Sequence, residues 1–161
     1  MKLDDLDHEV KEILDKIADR IIGKGRREDE IEHVIIRTNC CEMAKYVKEP
    51  VVEISSLDEL KNALRKCRVV FVNAYTTYCP YCKLFHPIFE NVARKFKGKA
   101  GFIRVNLDYA MDVAYAYYIM STPTTLVIIN GKLIDRILGY IDEYEFEAYV
   151  EEILRRENCI M

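Results

Sequence analysis

Residues 69–82, Val-Val-Phe-Val-Asn-Ala-Tyr-Thr-Thr-Tyr-Cys-Pro-Tyr-Cys, decide the fold of this chain. An apolar, β-branched run over residues 68–75 predicts a buried central strand. Residues 80–97 have a helical pattern, so Cys79 and Cys82 stand where the strand gives way to a helix. The first amides of a helix have no internal partner, and its dipole favours negative charge there. We therefore expect the pKa of Cys79 to lie below the free value of about 8.5. Cys82, one turn further on, can then attack a mixed disulfide formed by Cys79.

Alternating strand and helix signals surround this stretch. Strands are predicted over residues 51–54, 68–75 and 100–107, helices over 57–66, 80–97 and 109–118, a hairpin over 124–129 and 132–138, and a last helix over 142–156. Ser56, with Glu59 at the capping-box spacing, and Asp142 are predicted helix caps. The order β α β α β α β β α predicts an α/β domain, which we assign to residues 49–161.

The first part of the chain, residues 1–48, is predicted to be a helical extension. Apolar residues recur at helical spacing over 3–22, and residues 28–47 fit a helix better than a strand. The apolar stripe must be buried against the same domain, a partner or a second copy of the chain, and the last case gives a dimer through the extension.

The composition narrows the classes of partner. The chain has 161 residues and a net charge of −3 with both signs mixed, so nothing favours nucleic acid or an anionic membrane as a partner. No apolar run approaches the roughly 20 residues that span a bilayer, and the acidic start does not resemble a secretory signal, so we expect a cytoplasmic protein. Glutamine is absent and 32% of the residues are charged, a bias that predicts a thermophilic source.

The chain resembles the thioredoxin superfamily over residues 50–156, and the resemblance extends beyond the CxxC motif. Lys83 follows the second cysteine, as in thioredoxins, and Pro87 has the spacing of the helix-kinking proline of the family. Further similar segments are residues 104–108, Thr122-Pro123-Thr124, Asn130-Gly131-Lys132 and Gly139.

The resemblance implies a thioredoxin-like three-layer sandwich, with a central mixed sheet flanked by helices. It implies a thiol–disulfide oxidoreductase that acts on protein disulfides, with Cys79 as nucleophile and Cys82 as resolving cysteine. Such an oxidoreductase needs no bound cofactor and takes electrons from a thioredoxin-reductase-like enzyme or from small thiols. Pro123 is expected to be cis and to face Cys79, and the backbone of Thr122 to pair with an extended substrate. The surface around the sulfur would be lined by Tyr78, Pro80, Tyr81, Gly139 and Tyr140.

The chain departs from the family pattern at three places, at one of which Tyr75 and Tyr78 stand where the family has tryptophans. Asn73 replaces the buried aspartate that takes the proton of the second cysteine, for which Lys83 is a candidate substitute. The dipeptide Pro80-Tyr81 is that of glutaredoxins, which suggests a reduction potential of roughly −200 to −230 mV. The alternatives are therefore a glutaredoxin-like reductase of glutathione mixed disulfides, a protein disulfide oxidase or isomerase, and a non-catalytic binding module with the same fold.

The four other cysteines, Cys40, Cys41, Cys67 and Cys159, have several interpretations. They can be idle thiols, structural bridges with three full pairings, or a second redox centre. Disulfides in intracellular proteins are common only in hyperthermophiles, which makes bridges compatible with the composition.

A metal site is the remaining alternative for the cysteines, since four thiolates of Cys40, Cys41, Cys79 and Cys82 suit zinc or an iron–sulfur cluster. Only one CxxC is present and no histidine has metal-ligand spacing, so we predict no metal. His86, four residues after Cys82, is expected to serve packing rather than chemistry.

Overall fold

The computed structural model describes residues 40–43 and 48–160, in which a mixed sheet is covered by helices on both faces. The helix predicted over residues 3–22 and most of that over 28–47 lie outside the described residues. The helix prediction is wrong for residues 40–42. Cys41 pairs there with Cys67 in an antiparallel bridge, and Arg68 N–H donates to the Cys40 carbonyl at 2.8 Å. The proposed domain boundary after residue 48 stays a prediction.

The element order of the described domain is the predicted one. It comprises β1 (Val52–Ile54), α1 (Leu57–Lys66), β2 (Val69–Tyr75), α2 (Pro80–Lys95), β3 (Gly101–Asn106), α3 (Met111–Ala116), β4 (Thr124–Ile129), β5 (Lys132–Leu138) and α4 (Glu143–Arg156). The sheet order is β1-β3-β2-β4-β5, with β1, β3 and β2 parallel and β4 antiparallel to both β2 and β5. Strand β2 is therefore central, and its carboxyl end opens toward Cys79.

The core lies on both faces of the sheet, because side chains alternate along β2. Val70 and Val72 pack in the cluster that contains Leu60 of α1. Phe71 packs on the other face, where its ring lies 5.3 Å from that of Phe102 and perpendicular to that of Phe146 of α4. Burying one such phenylalanine contributes about 1.5–3 kcal/mol, so the phenylalanine-rich face holds α2 and α4 firmly against the sheet.

One helix cap and one tight turn fix two of the connections between these elements. Ser56 Oγ accepts a hydrogen bond from Glu59 N–H at 3.2 Å, which confirms the predicted cap of α1. The Glu59 carboxylate accepts from Ser55 N–H at 2.8 Å rather than from Ser56. Asn130 and Gly131 both have positive φ, 52° and 76°, as the tight turn of a twisted hairpin requires.

Two disulfides fasten the segment around residue 40 to the domain. Cys40 is bonded to Cys159, and Cys41 is bonded to Cys67 at the start of β2. Of the interpretations left open by the sequence, idle thiols are therefore wrong for these four residues. None of the helices in the described ranges is long and apolar enough to cross a membrane.

Candidate active site

The loop between β2 and α2 is held in place by the end of the neighbouring strand β3. Leu107 N–H donates to the Tyr75 carbonyl at 2.8 Å, and Thr77 N–H donates to the Asp108 carboxylate at 2.8 Å. Asn106 Nδ2 donates to Thr77 Oγ1 at 3.2 Å. Hydrogen bonds from the Thr77 backbone and side chain hold the pKa of Asp108 below its ordinary value. These hydrogen bonds therefore fix the residues before Cys79 to the carboxyl ends of strands β2 and β3.

Cys79 is the N-cap of α2, and its sulfur accepts a hydrogen bond from Cys82 N–H at 3.2 Å. The two cysteines are joined in a disulfide, so the structure brings together the pair expected from the sequence. Cys79 is 8% exposed and Cys82 is fully buried. Cys79 is therefore the less buried residue of the pair, and its sulfur lies where the helix dipole and the Cys82 amide favour a thiolate.

The segment before β4 faces this sulfur. The Thr122–Pro123 peptide bond is cis, which confirms the expectation for Pro123. Thr122 Oγ1 donates to Cys79 Sγ at 3.5 Å, and the Thr122 carbonyl oxygen lies 3.7 Å from the same sulfur. Thr76 Oγ1 lies 3.3 Å from Thr122 Oγ1 and extends the hydroxyl chain. The Thr122 hydroxyl is a sulfur contact that the sequence analysis did not identify, since it considered only the backbone of this residue.

A groove beside Cys79 is lined by five of the expected surface residues and one that was missed: Tyr81, Thr122, Pro123, Gly139, Tyr140 and Leu138. Gly139 has a φ of 80°, and its N–H donates to the Pro123 carbonyl at 2.8 Å, which joins the two walls. Leu138 is 67% exposed at the end of β5, and its position just before Gly139 was the available signal.

Tyr78 and Pro80, the other two expected surface residues, lie outside this groove lining. The Tyr78 side chain is 94% exposed directly before Cys79, and Pro80 is exposed at the first position of α2. At this exposure Tyr78 has little contact with the rest of the described domain.

Asn73, at the position of the family aspartate, is fully buried in β2. Its Nδ2 donates to Thr125 Oγ1 at 3.3 Å, whereas its Oδ1 has no hydrogen-bond partner within the described ranges. Lys83 is exposed while Cys82 is buried, and neighbouring positions on a helix face different directions. The geometry thus speaks against Lys83 as the group that takes the Cys82 proton.

His86 serves packing, as expected. Its ring meets the Tyr75 ring edge-on, with centroids 4.6 Å apart. Burial, followed by the positive charge of Arg104, lowers the pKa of His86 to about 4, so the ring is neutral at pH 7. Tyr75 donates a hydrogen bond to Glu53, and burial with this carboxylate raises the pKa of Tyr75 to about 12. His86 therefore adds no positive charge to α2 at neutral pH.

Comparison with known proteins identifies the family. The family model described as Thioredoxin matches residues 51–152. The chain belongs to the thioredoxin family. Thioredoxin of Mycoplasmoides gallisepticum is 34% identical over 98 residues, which cover 61% of this chain and 97% of that protein.

Two further proteins are similar to this thioredoxin-family chain, one in its fold and one over a short part of its length. The solved thioredoxin of Malassezia sympodialis has a TM-score of 0.60 and 30% identity, covering 65% of this chain and 90% of that one. A peptide-N(4)-(N-acetyl-beta-glucosaminyl)asparagine amidase of Caenorhabditis elegans is 33% identical over 93 residues. That match covers 56% of this chain but spans only 15% of the amidase.

Proposed function

We propose that this chain is a thiol–disulfide oxidoreductase that exchanges disulfides with protein substrates through Cys79 and Cys82. The observation that carries the proposal is the position of Cys79 Sγ. It caps α2, accepts a hydrogen bond from the Cys82 amide, and lies against the cis segment Thr122–Pro123 beside an open groove. Membership of the thioredoxin family supports the same chemistry.

The proposed reaction starts from the reduced pair. The Cys79 thiolate attacks one sulfur of a substrate disulfide, and the other substrate sulfur leaves as a thiolate that takes a proton from solvent. Cys82 then loses its proton and attacks Cys79 Sγ, which releases the second substrate thiol and leaves the Cys79–Cys82 disulfide. Two electrons pass to the substrate, and a dithiol reductase or small thiols return them to the pair.

The groove favours a polypeptide as substrate over a small thiol. Thr122 and Pro123 form one wall beside the sulfur, and Tyr81 with Leu138 offers exposed apolar contact along it. An extended chain could pair with the Thr122 backbone while its disulfide meets Cys79 Sγ. Glutathione mixed disulfides remain the alternative suggested by Pro80-Tyr81.

The second candidate function is the formation of disulfides in substrates, with electrons flowing in the opposite direction. The two other disulfides of the chain favour it. Cys40–Cys159 and Cys41–Cys67 are both closed, which suits a compartment in which protein disulfides persist. An oxidase or isomerase would have a potential of roughly −120 to −180 mV, against roughly −200 to −230 mV for a glutaredoxin-like couple. A cytoplasmic location, a thermophilic source and a dimer through the extension stay proposals.

The test is reduction of insulin driven by dithiothreitol. Wild-type protein is expected to accelerate precipitation of the insulin B chain, and Cys79→Ser to give the uncatalysed rate. The matched variant Cys82→Ser is expected to lose turnover but to trap a mixed disulfide at Cys79, visible by mass spectrometry. Equal background rates for wild type and Cys79→Ser, with no trapped adduct, would favour the binding-module alternative.

A further inference from the structure

A second sulfur cluster lies at the amino end of strand β2, the end opposite to Cys79. The seven residues of β2 separate the two ends by about 23 Å. Here the Cys40–Cys159 disulfide is only partly buried, and the guanidinium of Arg68 contacts both sulfurs. Arg68 Nη2 lies 3.1 Å from Cys40 Sγ and 3.6 Å from Cys159 Sγ.

Arg68 is fixed in this position by the residue that follows α4. Its Nη1 pairs with the Glu157 carboxylate at 2.8 Å, and Nη2 also donates to the Glu157 carbonyl oxygen. The ion pair is partly buried, with side chains 17% and 27% exposed, so neither group is freely solvated. The carboxylate offsets part of the charge and pairs with Nη1, whereas Nη2 is the nitrogen that contacts both sulfurs and the Glu157 carbonyl oxygen.

The two sulfurs differ in their surroundings. Cys40 Sγ is the nearer to the guanidinium, which favours a thiolate on Cys40. Cys159 Sγ lies 3.7 Å from the Glu157 carbonyl oxygen, an acceptor that favours a protonated thiol. When the disulfide opens, Cys40 is thus the better leaving group and Cys159 the sulfur that is attacked.

The other disulfide of this region provides an internal contrast. Cys67 is 2% exposed and belongs to the apolar cluster on the α1 face of the sheet. Its Sγ lies 3.1 Å from the point where a Cβ on Gly101 would stand, which leaves little room for an attacking thiol. Cys41 is partly buried like Cys40, so the contrast rests on Cys67, whose burial gives Cys41–Cys67 the features of a structural bridge.

We propose that Cys40–Cys159 is a second thiol–disulfide exchange site, activated by Arg68, that is reduced by small dithiols while the domain stays folded. A dithiol thiolate attacks Cys159 Sγ, forming a mixed disulfide and releasing the Cys40 thiolate beside Arg68. The second thiol of the dithiol then loses its proton and attacks the first sulfur of the same dithiol, which is bonded to Cys159 in the mixed disulfide. This releases the Cys159 thiolate, which takes up a proton. Two electrons enter the protein, and the dithiol leaves as a cyclic disulfide.

The first experiment treats the full native chain with dithiothreitol, alkylates the thiols at intervals and maps them by mass spectrometry. Cys40 and Cys159 are expected to open without denaturant, while Cys41 and Cys67 stay closed until the protein unfolds. Simultaneous opening of both disulfides only in denaturant would overturn the proposal. A monothiol, 2-mercaptoethanol, is expected to form its adduct on Cys159, and an adduct on Cys40 would overturn the assigned direction.

The role of Arg68 is tested with a pair of variants in the same assay. Arg68→Gln removes the charge and is expected to slow opening of Cys40–Cys159 roughly threefold to tenfold, because the leaving thiolate loses its cation. Arg68→Lys keeps the charge and is expected to stay near the wild-type rate. An unchanged or higher rate in Arg68→Gln overturns the assignment to Arg68.

A thiol titration gives an independent readout, since it does not depend on opening the disulfide. In Cys159→Ser, Cys40 is a single thiol beside Arg68, and its alkylation rate is followed against pH. The midpoint is expected at least about one unit below the free value of 8.5, and closer to that value in Cys159→Ser/Arg68→Gln. A midpoint at or above 8.5 with Arg68 present refutes activation. Loss of insulin reduction in Cys79→Ser tests Cys79 and Cys82, and the opening of Cys40–Cys159 can be mapped in that same variant, so the two proposals can fail separately.

Discussion

Thr122→Val should make Cys79 less reactive at pH 7, although no atom of either cysteine is changed. The Thr122 hydroxyl donates to Cys79 Sγ at 3.5 Å, and valine keeps the shape of the side chain without the donor. In the reduced protein this hydroxyl stabilises the charged thiolate more than it stabilises the neutral thiol. Its loss therefore raises the pKa of Cys79.

The size of the effect follows from the contact. A hydrogen bond to a charged group contributes about 1.5–3 kcal/mol, and the long distance to sulfur places this one at the lower end. About 1.4 kcal/mol corresponds to one pKa unit. For a thiolate of pKa about 7, such a rise reduces the ionised fraction at pH 7 about fivefold.

The assay is the rate of iodoacetamide alkylation of reduced Cys79 between pH 5 and 9, with the modified peptide identified by mass spectrometry. Thr76→Val is the matched control, because Thr76 Oγ1 contacts the Thr122 hydroxyl at 3.3 Å but stands one step further from the sulfur. We expect the control to shift the midpoint by less than about 0.3 unit. An unshifted midpoint in Thr122→Val would refute the assignment of the hydroxyl to the sulfur.

Three further predictions concern stability. Gly101→Ala places a Cβ 3.1 Å from Cys67 Sγ and should lower the free energy of unfolding by about 1–3 kcal/mol, and an unchanged urea midpoint would show that the strand yields freely. Burial lowers the pKa of His86 in the folded protein to about 4, from the ordinary value of 6.5. The buried neutral ring therefore contributes its full stabilisation above pH 6.5, and this stabilisation is lost as the pH falls toward 4. His86→Gln should remove this part of the wild-type pH profile, and parallel profiles would contradict it. Cys159→Ser opens the bond to Cys40 across a separation of 119 residues and should cost up to about 4–5 kcal/mol of unfolding free energy, measured in urea against the oxidised wild type, whereas a loss below about 1 kcal/mol would contradict it.

Much of the fold was predictable because its signals are local. The bounds of β4 and β5 agree with the predicted hairpin, since Asn130-Gly131 is a turn that dictates its own geometry. The caps Ser56 and Asp142 are also local, and both accept the expected amide. For the site, the CxxC spacing and the resemblance predicted the pairing of Cys79 with Cys82.

What the sequence could not predict depends on residues that are distant along the chain. The partner of Cys40 is decided by where the end of α4 meets the start of β2, and three pairings were equally open before the structure. Arg68 gave no signal, because its contacts come from Cys40 and Glu157 on separate segments. Leu138 was missed although it directly precedes Gly139, because only the sheet order shows that it lies along the same groove as Thr122.

The bond between Cys40 and Cys159 closes nearly all of the described domain into a covalent ring. A protease that cuts one peptide bond inside this ring would leave both fragments attached, so nicking alone would not release a piece of the domain. Tension applied through residues on either side of the ring would likewise run across the sulfur bridge and bypass the strands. Once the Cys40–Cys159 disulfide is reduced, the same force would act on the strands of the sheet.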